Sequence, residues 1–237
     1  MIRIAVLCPS RGRPARLESM AESLFRTAAS PERVELVLRL DEDDPDLPGY
    51  GRVLAGDERG RITRIFGPRR SIPEALNAIA PSLEHDVIGT AADDVLFRTA
   101  AWDCEVERAL GDGGRAAIAV PMDGREERRG LRCTHFFATR AWVRTVGHLL
   151  HPDYEHFWAD TNIADIAARA DRLVWMREVL VEHLHPNAGK APRDATYADK
   201  RAGPKGARMS DRDADRYERL AGERAAAAAR VRSGTDG

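Results

Sequence analysis

Short apolar runs and helical stripes alternate along the first half of the chain. Four runs rich in aliphatic and β-branched side chains each predict a strand: residues 2–8 (IRIAVLC), 34–40 (VELVLRL), 62–66 and 86–90 (DVIGT). Pro9 is expected to stop the first of these strands. Apolar residues then recur at helical spacing at Leu17, Met20, Leu24 and Phe25. Strands that alternate with helices predict an α/β fold with a mostly parallel sheet covered by helices on both faces.

Two further helices have recognisable starts. Ser71 and Glu74 have the spacing of a capping box, so a helix is expected to begin directly after Ser71. Thr99 is expected to cap the next helix, whose Trp102, Val106 and Leu110 lie on one face.

The second half of the chain is less regular. Residues 116–120 and 134–138 predict strands around a charged loop, DGREERRG. Helices are expected through Trp142 and Val146, and from Thr161 to about Ala170. Two short apolar runs within residues 172–184 predict a hairpin or two sheet strands.

The C-terminal part differs in composition. From about Asn187 the chain is polar and rich in glycine and proline, and its last stretch, DRDADRYERLAGERAAAAARVRS, favours helix but has almost no apolar stripe. We therefore expect one domain over residues 1–190 and an extension over residues 191–237 that is an exposed helix or disordered.

Composition and charge exclude several classes of protein. The 237 residues are 43% hydrophobic and 32% charged, which is typical of a soluble globular chain with one sizeable domain. With 37 basic and 38 acidic residues the formal net charge is −1, so a positive field over the whole protein for nucleic acid is absent.

Targeting and redox features favour a cytoplasmic location. The N-terminal MIRIAVLCPSRGRP lacks the pattern of a signal peptide, and no segment approaches the roughly 18 apolar residues that span a bilayer. Cys8, Cys104 and Cys133 fit neither a disulfide framework nor a zinc site, and we interpret them as structural.

Polar clusters follow three of the predicted strands: PSRGRP, DEDD and AADD. Ligands of such sheets bind at the carboxyl ends of the strands. Asp93 and Asp94 repel each other as neighbours, and a divalent cation shared with substrate phosphates would compensate them. The alternative is a solvated turn in which one Asp caps a helix.

The other clusters have nucleotide-compatible chemistry. Pro9, Ser10, Arg11 and Arg13 combine close backbone approach with guanidinium groups for phosphate, although neither a Walker A motif nor a dinucleotide fingerprint is present. The acidic turn that contains Asp41 and Asp43 can accept hydrogen bonds from a ribose or a base, or it is simply a solvated acidic loop.

Two later positions complete the candidates. His183 and His185 lie on the same side of an extended segment, where an imidazole is a reasonable ligand for Mn²⁺; hydrogen-bonded loop histidines are the alternative. Asp160 lies among aromatic residues just before a helix, which suits a general base with a raised pKa or a simple N-cap.

The order PSRGRP, Asp-rich turn, SIPEALNAIA and VIGTAADDVLFRTAAWD resembles that of GT-A glycosyltransferases of the broad family 2 type, over roughly residues 2–200. The resemblance implies a Rossmann-like GT-A fold and Mn²⁺ or Mg²⁺ held by Asp94 and His185, with Asp93 beside the donor diphosphate. It implies that Asp160 is the acceptor-side base. The motif departs from Asp-x-Asp, since the two carboxylates are adjacent.

The same resemblance implies a nucleotide-sugar donor, a UDP-sugar first of all. Arg11, Arg13 and Arg69 would neutralise the diphosphate, and Asp41 and Asp43 would hold the nucleoside. The run HLHPNAGKAPRDATY is similar to small phage and prophage glycosyltransferases, some of which glycosylate hydroxymethylated pyrimidines in DNA. That similarity would place the protein in the host cytoplasm, with modified DNA as one acceptor.

Other functions remain open at this point. A nucleotidyltransferase also uses paired carboxylates, a metal and a nucleotide, and a glycosyltransferase of this type can act on a polysaccharide or glycolipid. A non-enzymatic nucleotide- or DNA-binding module would use the basic segment of residues 200–232, although the acidic residues there favour a solvated mixed-charge helix.

Overall fold

The computed structural model describes residues 1–51, 60–125, 133–186, 189–192 and 209–234. Within these residues the strands are β1 (Ile4–Ser10), β2 (Val34–Asp41), β3 (Ile62–Gly67), β4 (Val87–Thr90), β5 (Val95–Phe97), β6 (Ile118–Met122), β7 (Phe136–Thr139) and β8 (Leu173–His183). The helices are α1 (Pro14–Thr27), α2 (Ile72–Asn77), α3 (Trp102–Leu110), α4 (Arg140–Val146), α5 (Ala159–Arg169), α6 (Met209–Arg219) and α7 (Ala221–Ser233).

The strands form one mixed sheet in the order β3-β2-β1-β4-β7-β6-β8-β5. The first four strands are parallel, β7 runs antiparallel to β4 and β6, and β6 is parallel to β8. The edge strand β5 runs antiparallel to β8. The predicted α/β class, with a mostly parallel sheet flanked by helices, is confirmed.

Alternation along β1 divides the core into two layers. Ala5 and Leu7 pack with residues of α4, α5 and α7, whereas Ile4, Val6 and Cys8 pack with residues of α1 and α3. Both layers are built from fully buried side chains, including Trp142 in the first and Trp102 in the second. Burial of β1 on both faces explains why its sequence is a continuous apolar run rather than an alternating one.

Most predicted elements are confirmed within a few residues. The capping box at Ser71 is present: its hydroxyl accepts from the Glu74 amide, and the Glu74 carboxylate accepts from the Ser71 amide. Trp102, Val106 and Leu110 form the buried face of α3. The short strand β5 lacked a sequence signal of its own, because three residues cannot establish a period.

Two predicted boundaries were wrong. β1 continues through Pro9 to Ser10, because β1 pairs with β4 only as far as Leu7 and the missing N–H of Pro9 interrupts no ladder on that side. Thr99 does not cap α3: its hydroxyl accepts from the Leu180 amide on β8, and Ala101 occupies the N-cap position in a left-handed conformation.

The prediction of a hairpin or two strands within residues 172–184 was also wrong. This segment is the single strand β8, and its pairing shifts register opposite Pro121 and Met122. Its first part pairs with β6 and its end pairs with β5, so the break in the apolar pattern marks a change of neighbour rather than a turn.

The helical propensity near the C-terminus is confirmed, but the expected exposure is not. Ala227, Ala228 and Val231 of α7 join the same core layer as α4 and α5. Small alanine side chains let α7 lie close to those helices, which the lack of a conventional apolar stripe concealed. The Gly/Pro-rich stretch and the basic segment up to residue 208 lie mainly outside the described residues, as does most of the charged loop DGREERRG.

No helix in the described ranges has both the length and the apolar character that crossing a bilayer requires.

Candidate active site

The ends of β1, β2 and β4 meet at one edge of the sheet. Because β1 lies between β2 and β4 in parallel register, the residues that follow all three strands are brought together. Ser10 ends β1, Asp41 ends β2, and Asp93 and Asp94 follow β4 within three or four residues. The clustering expected from the sequence is therefore present.

A chain of hydrogen bonds joins these strand ends. The Ser10 hydroxyl donates to Asp93 Oδ2 at 2.8 Å and lies 3.0 Å from the Tyr50 hydroxyl. Tyr50 in turn donates to Asp44 Oδ2 at 3.2 Å, and the Gly12 amide donates to the same oxygen at 2.8 Å. Burial raises the pKa of Tyr50 to about 12, so it remains a neutral hydroxyl that can bridge Ser10 and Asp44.

Asp93 and Asp94 are both buried, and arginine compensates their charge. Arg13 Nη1 lies 3.0 Å from Asp93 Oδ1 and 3.2 Å from Asp94 Oδ2, and Arg16 Nη1 lies 3.7 Å from Asp94 Oδ2. The compensation that the sequence assigned to a cation is thus supplied in part by Arg13. Only 8% of its side chain is exposed, so its reach toward a phosphate is limited.

Burial also controls the protonation of this cluster. It raises the pKa of Asp93, an effect opposed by the positive charge of Arg13 and reinforced by the negative charge of Asp94. Burial raises the pKa of Cys8 as well, and both carboxylates add to that shift. Cys8 therefore stays a protonated thiol, in keeping with the structural role expected for it.

A second, more solvated cluster lies beside the first. Arg11 Nη1 is 2.5 Å from Asp43 Oδ1 and 3.2 Å from Asp41 Oδ2. The hydrogen bond from Arg11 lowers the pKa of Asp43, and the charge of Arg69 contributes to the same shift. This cluster thus brings together four residues that the sequence predicted to bind the nucleotide-sugar: Arg11, Asp41, Asp43 and Arg69. The side chain of Arg69 is exposed.

His183 is the histidine that lies against the acidic pair. Because β5 and β8 are antiparallel, His183 is opposite Val95, and its Nε2 is 3.2 Å from Asp94 Oδ1. The ring of His185 packs against that of His183, with the two ring centroids 5.1 Å apart. The ring of His135 also packs edge-on against that of His183, with the centroids 5.1 Å apart.

The donor set at Asp94 suits a metal shared with a substrate. A carboxylate and an imidazole nitrogen 3.2 Å apart are compatible with Mn²⁺ more than with Mg²⁺, and phosphate oxygens would complete the coordination. Among the described residues no three Asp, Glu, His or Cys side chains gather as a preformed metal cluster. A shallow cleft lined by Ala15, Arg16, Asp94 and Leu184 gives access to the carboxylates.

The sequence did not single out three residues of this site, one of which, Asp44, belongs to the acidic turn DEDD. Asp44 and Tyr50 organise the loop around Gly12, and Asp123 follows β6 with its carbonyl accepting from the His183 amide at 3.0 Å. Asp123 is 2% exposed and directly follows the apolar strand β6. That is the same strand-end signal that identified Asp93, so it could have been found from the sequence.

Asp160 lies in the first turn of α5, where it is half-buried rather than fully desolvated. It is not the N-cap, a position that Trp158 occupies, and its Oδ1 accepts from the adjacent Thr161 amide at 2.8 Å. Its backbone carbonyl contacts Cys133 Sγ at 2.9 Å, two residues before His135. This contact links the start of α5 to the segment that carries His135.

Pro9, the remaining predicted site residue, is half-buried within β1.

Comparison with known proteins identifies the fold. No protein-family model matches the chain, and no curated protein matches it by sequence. The structure is similar to mannosyltransferase PcManGT from Pyrobaculum calidifontis in complex with GDP-Man and Mn²⁺, with a TM-score of 0.66 and 13% identity over 97% of this chain and 74% of that one.

The structure is also similar to S. aureus TarS 1-349 in complex with UDP-GlcNAc, with a TM-score of 0.64 and 10% identity over 97% of this chain and 70% of that one. A second TarS 1-349 structure gives a TM-score of 0.58 and 9% identity over 76% of this chain and 60% of that one, so the match spans less than two thirds of the TarS 1-349 chain. Together with the mixed sheet and its flanking helices, these similarities show that the chain has the GT-A fold.

Proposed function

We propose that this protein is a metal-dependent glycosyltransferase that moves a sugar from a nucleotide-sugar donor to an acceptor hydroxyl. The observation that carries the proposal is the buried pair Asp93–Asp94 at the carboxyl edge of the parallel strands. Asp94 Oδ1 lies 3.2 Å from His183 Nε2. The fold similarity to a protein bound to GDP-Man and Mn²⁺ and to one bound to UDP-GlcNAc supports the same donor class, and we place a UDP-sugar first.

Each cluster has a role in this proposal. Asp94, with His183 and His185 as candidate imidazole ligands, would hold Mn²⁺ or Mg²⁺, which when bound stabilises charge on the departing diphosphate. Arg13 fixes the orientation of both carboxylates through its contacts at 3.0 and 3.2 Å. Asp93 would lie beside the diphosphate, with Pro9 and Ser10 forming the adjacent backbone.

The solvated cluster is the proposed nucleoside side. Asp41 and Asp43 accept from Arg11 in the free protein and would exchange this partner for ribose hydroxyls or a base N–H. Arg11 and Arg69 would then turn toward the diphosphate, because guanidinium groups pair well with phosphate oxygens.

In the acceptor reaction, the proposed general base is Asp160. Its carboxylate would remove the proton from the acceptor hydroxyl as that oxygen attacks the anomeric carbon, while the bond to the diphosphate breaks. A single displacement of this kind inverts the configuration. Among acceptors, a hydroxymethylated pyrimidine in DNA is the first to test, followed by polysaccharide and glycolipid hydroxyls.

The test is a nucleotide-release assay with a panel of UDP- and GDP-sugars, with and without Mn²⁺. Asp94→Ala is expected to lower turnover by about 10²–10³-fold, because it removes stabilisation of the leaving group. Asp160→Asn is expected to lower turnover by about 10²–10⁴-fold, because it removes the base. Glu42→Gln is the matched control, since Glu42 is an exposed acid of the same turn as Asp43.

The products separate the competing functions. Release of nucleoside diphosphate supports sugar transfer, whereas release of pyrophosphate from a nucleoside triphosphate would indicate a nucleotidyltransferase. Wild-type turnover in either Asp94→Ala or Asp160→Asn, with an unchanged circular dichroism spectrum, would contradict the proposed roles.

A further inference from the structure

The two C-terminal helices hold the segment that leads into the candidate base. Asp213, on α6, is completely buried, and its carboxylate accepts hydrogen bonds from three successive backbone amides. The Glu155 amide lies 3.1 Å from Oδ1, and the amides of His156 and Phe157 lie 3.0 and 2.9 Å from Oδ2. A carboxylate that satisfies three amides in a row fixes the backbone of residues 155–157.

Salt bridges surround this anchor. Arg216 Nη1 lies 2.6 Å from Asp213 Oδ1 and 2.8 Å from Glu155 Oε1, and Arg212 Nη2 lies 2.6 Å from Glu155 Oε2. The buried charge of Asp213 is therefore balanced within α6, and both arginines tie the same segment to that helix.

Only two residues separate the anchored amides from Asp160. Trp158 has a left-handed backbone, with φ of 63°, and its ring lies 5.0 Å from that of Tyr217 on α6. The Trp158 carbonyl accepts from the Asn162 amide at 2.7 Å, which begins α5. An aromatic residue in this conformation is strained, so the contacts on either side of it must hold it there.

The body of α5 is tied to the same pair of helices. Asp165, one helical turn beyond Thr161, accepts from the Tyr217 hydroxyl at 3.1 Å and from Arg224 Nε at 3.0 Å. Arg224 also lies over the Tyr217 ring, with its guanidinium carbon 3.6 Å from the centroid. Burial raises the pKa of Asp165, but hydrogen bonds from Arg169, Tyr217 and Arg224 outweigh that effect and lower it overall.

We propose that Asp213 is a positioning residue for the transfer reaction: by anchoring the amides of residues 155–157 it holds Asp160 in the orientation needed to accept the proton of the acceptor. The C-terminal helices are thus part of the catalytic scaffold. This inference rests on the proposed function, because it assigns Asp213 a role through Asp160.

The test compares Asp213→Asn with Asp215→Asn, an exposed acid on the same helix. The substrate is whichever of UDP-glucose, UDP-galactose and UDP-N-acetylglucosamine the wild type hydrolyses fastest with Mn²⁺ and water as acceptor. We expect Asp213→Asn to lower kcat at least tenfold with KM for the donor unchanged. Hydrogen exchange at the amides of residues 155–157 should accelerate. Asp215→Asn should match the wild type in both measurements.

A double variant distinguishes positioning from a general structural role. If Asp213 acts through Asp160, Asp213→Asn should cost nothing further in an Asp160→Asn background, because the group that it positions is already removed. If Asp213→Asn does not fold, Arg216→Gln replaces it, because it keeps the carboxylate while loosening the segment; a smaller fall in the same kcat is then expected.

The outcomes separate this inference from the proposed function. Equal kcat in wild type and Asp213→Asn, or equal losses in the two backgrounds, would overturn the positioning role while leaving the glycosyltransferase intact. Unchanged amide exchange at residues 155–157 would overturn the anchor itself. Absence of turnover of every UDP- and GDP-sugar by the wild type would contradict the proposed function, and the positioning role would fall with it.

Discussion

At the scale of single residues, solvent exposure separates two acidic clusters that look alike in the sequence. Arg13 and the pair Asp93–Asp94 are each less than a tenth exposed in their side chains, whereas Asp43 is 63% exposed. Charges in the first cluster are poorly screened, so removing one partner there is costly. The contact of Arg11 with Asp43 is solvated and can be exchanged for a ligand at little cost. This contrast supports the proposed binding of metal and diphosphate at Asp94 and of the nucleoside at Asp43.

The neighbourhood of Asp94 predicts which histidine matters more for metal. His183 Nε2 lies 3.2 Å from Asp94 Oδ1, and the ring of His185 packs against that of His183 with the centroids 5.1 Å apart. We expect His183→Ala to raise the Mn²⁺ concentration for half-maximal activity more than His185→Ala does. Manganese titration of donor hydrolysis measures both, with His85→Ala as a control, because His85 pairs with Glu35 outside the candidate site. A larger effect of His185→Ala would contradict this ranking and support the assignment made from the sequence.

At the scale of elements, β4 and β8 position the site in different ways. β8 changes neighbours along its length, and the register shift beside β6 lets its end reach β5 and place His183 against Asp94. β4 carries Gly89, where the Phe137 ring of β7 approaches closely. A Cβ at position 89 would lie 2.7 Å from that ring, which itself stacks on Trp102 at 5.5 Å.

Gly89→Ala is therefore expected to destabilise the protein by about 1–3 kcal/mol, because overpacking displaces a buried aromatic ring. Gly222 in α7 is the matched control: a Cβ there meets nothing within 4 Å, so Gly222→Ala should stabilise the protein by about 0.5–1 kcal/mol. Urea unfolding of both variants measures the change. Equal stability of Gly89→Ala and the wild type would show that Phe137 can relax away from the strand.

At the scale of the whole molecule, the C-terminal helices close one of the two core layers. α7 adds Ala227, Ala228 and Val231 to the layer of α4 and α5. Asp213 of α6 accepts a hydrogen bond from the Phe157 amide, in the segment before α5. His148 lies just after α4: burial, together with the charges of His151 and Arg230, lowers its pKa to about 4 against the opposing charge of Glu223. Folding therefore favours the neutral form of His148.

The free energy of unfolding should consequently fall as pH drops from about 6.5 to about 4. In that window the unfolded chain, with the ordinary histidine pKa of 6.5, binds a proton that folded His148 does not, and the contribution is complete above pH 6.5. Urea unfolding at pH 7, 6 and 5 should show a shallower dependence for His148→Gln. Some slope will persist, because burial lowers the pKa of His85 as well.

Glu155→Gln is the control for this measurement. Hydrogen bonds from Arg212 hold the pKa of Glu155 at about 2, below its ordinary 4.5, so its contribution is lost only as pH falls below 4.5. The variant should therefore follow the wild-type slope between pH 7 and 5. Parallel curves for wild type and His148→Gln would contradict the role assigned to His148.

Apart from β5 and the single strand β8, the sequence alone determined the order of strands and helices. It also determined the polar residues that follow β1, β2 and β4, because hydrophobic period and strand-end chemistry are local properties. Only the tertiary structure decided which groups meet. Arg13 rather than a cation alone compensates Asp93 and Asp94, and His183 reaches Asp94 because β5 and β8 pair across more than eighty residues of chain. Asp213 anchors residues 155–157 for the same reason: burial and long-range pairing depend on packing, and no local pattern encodes them.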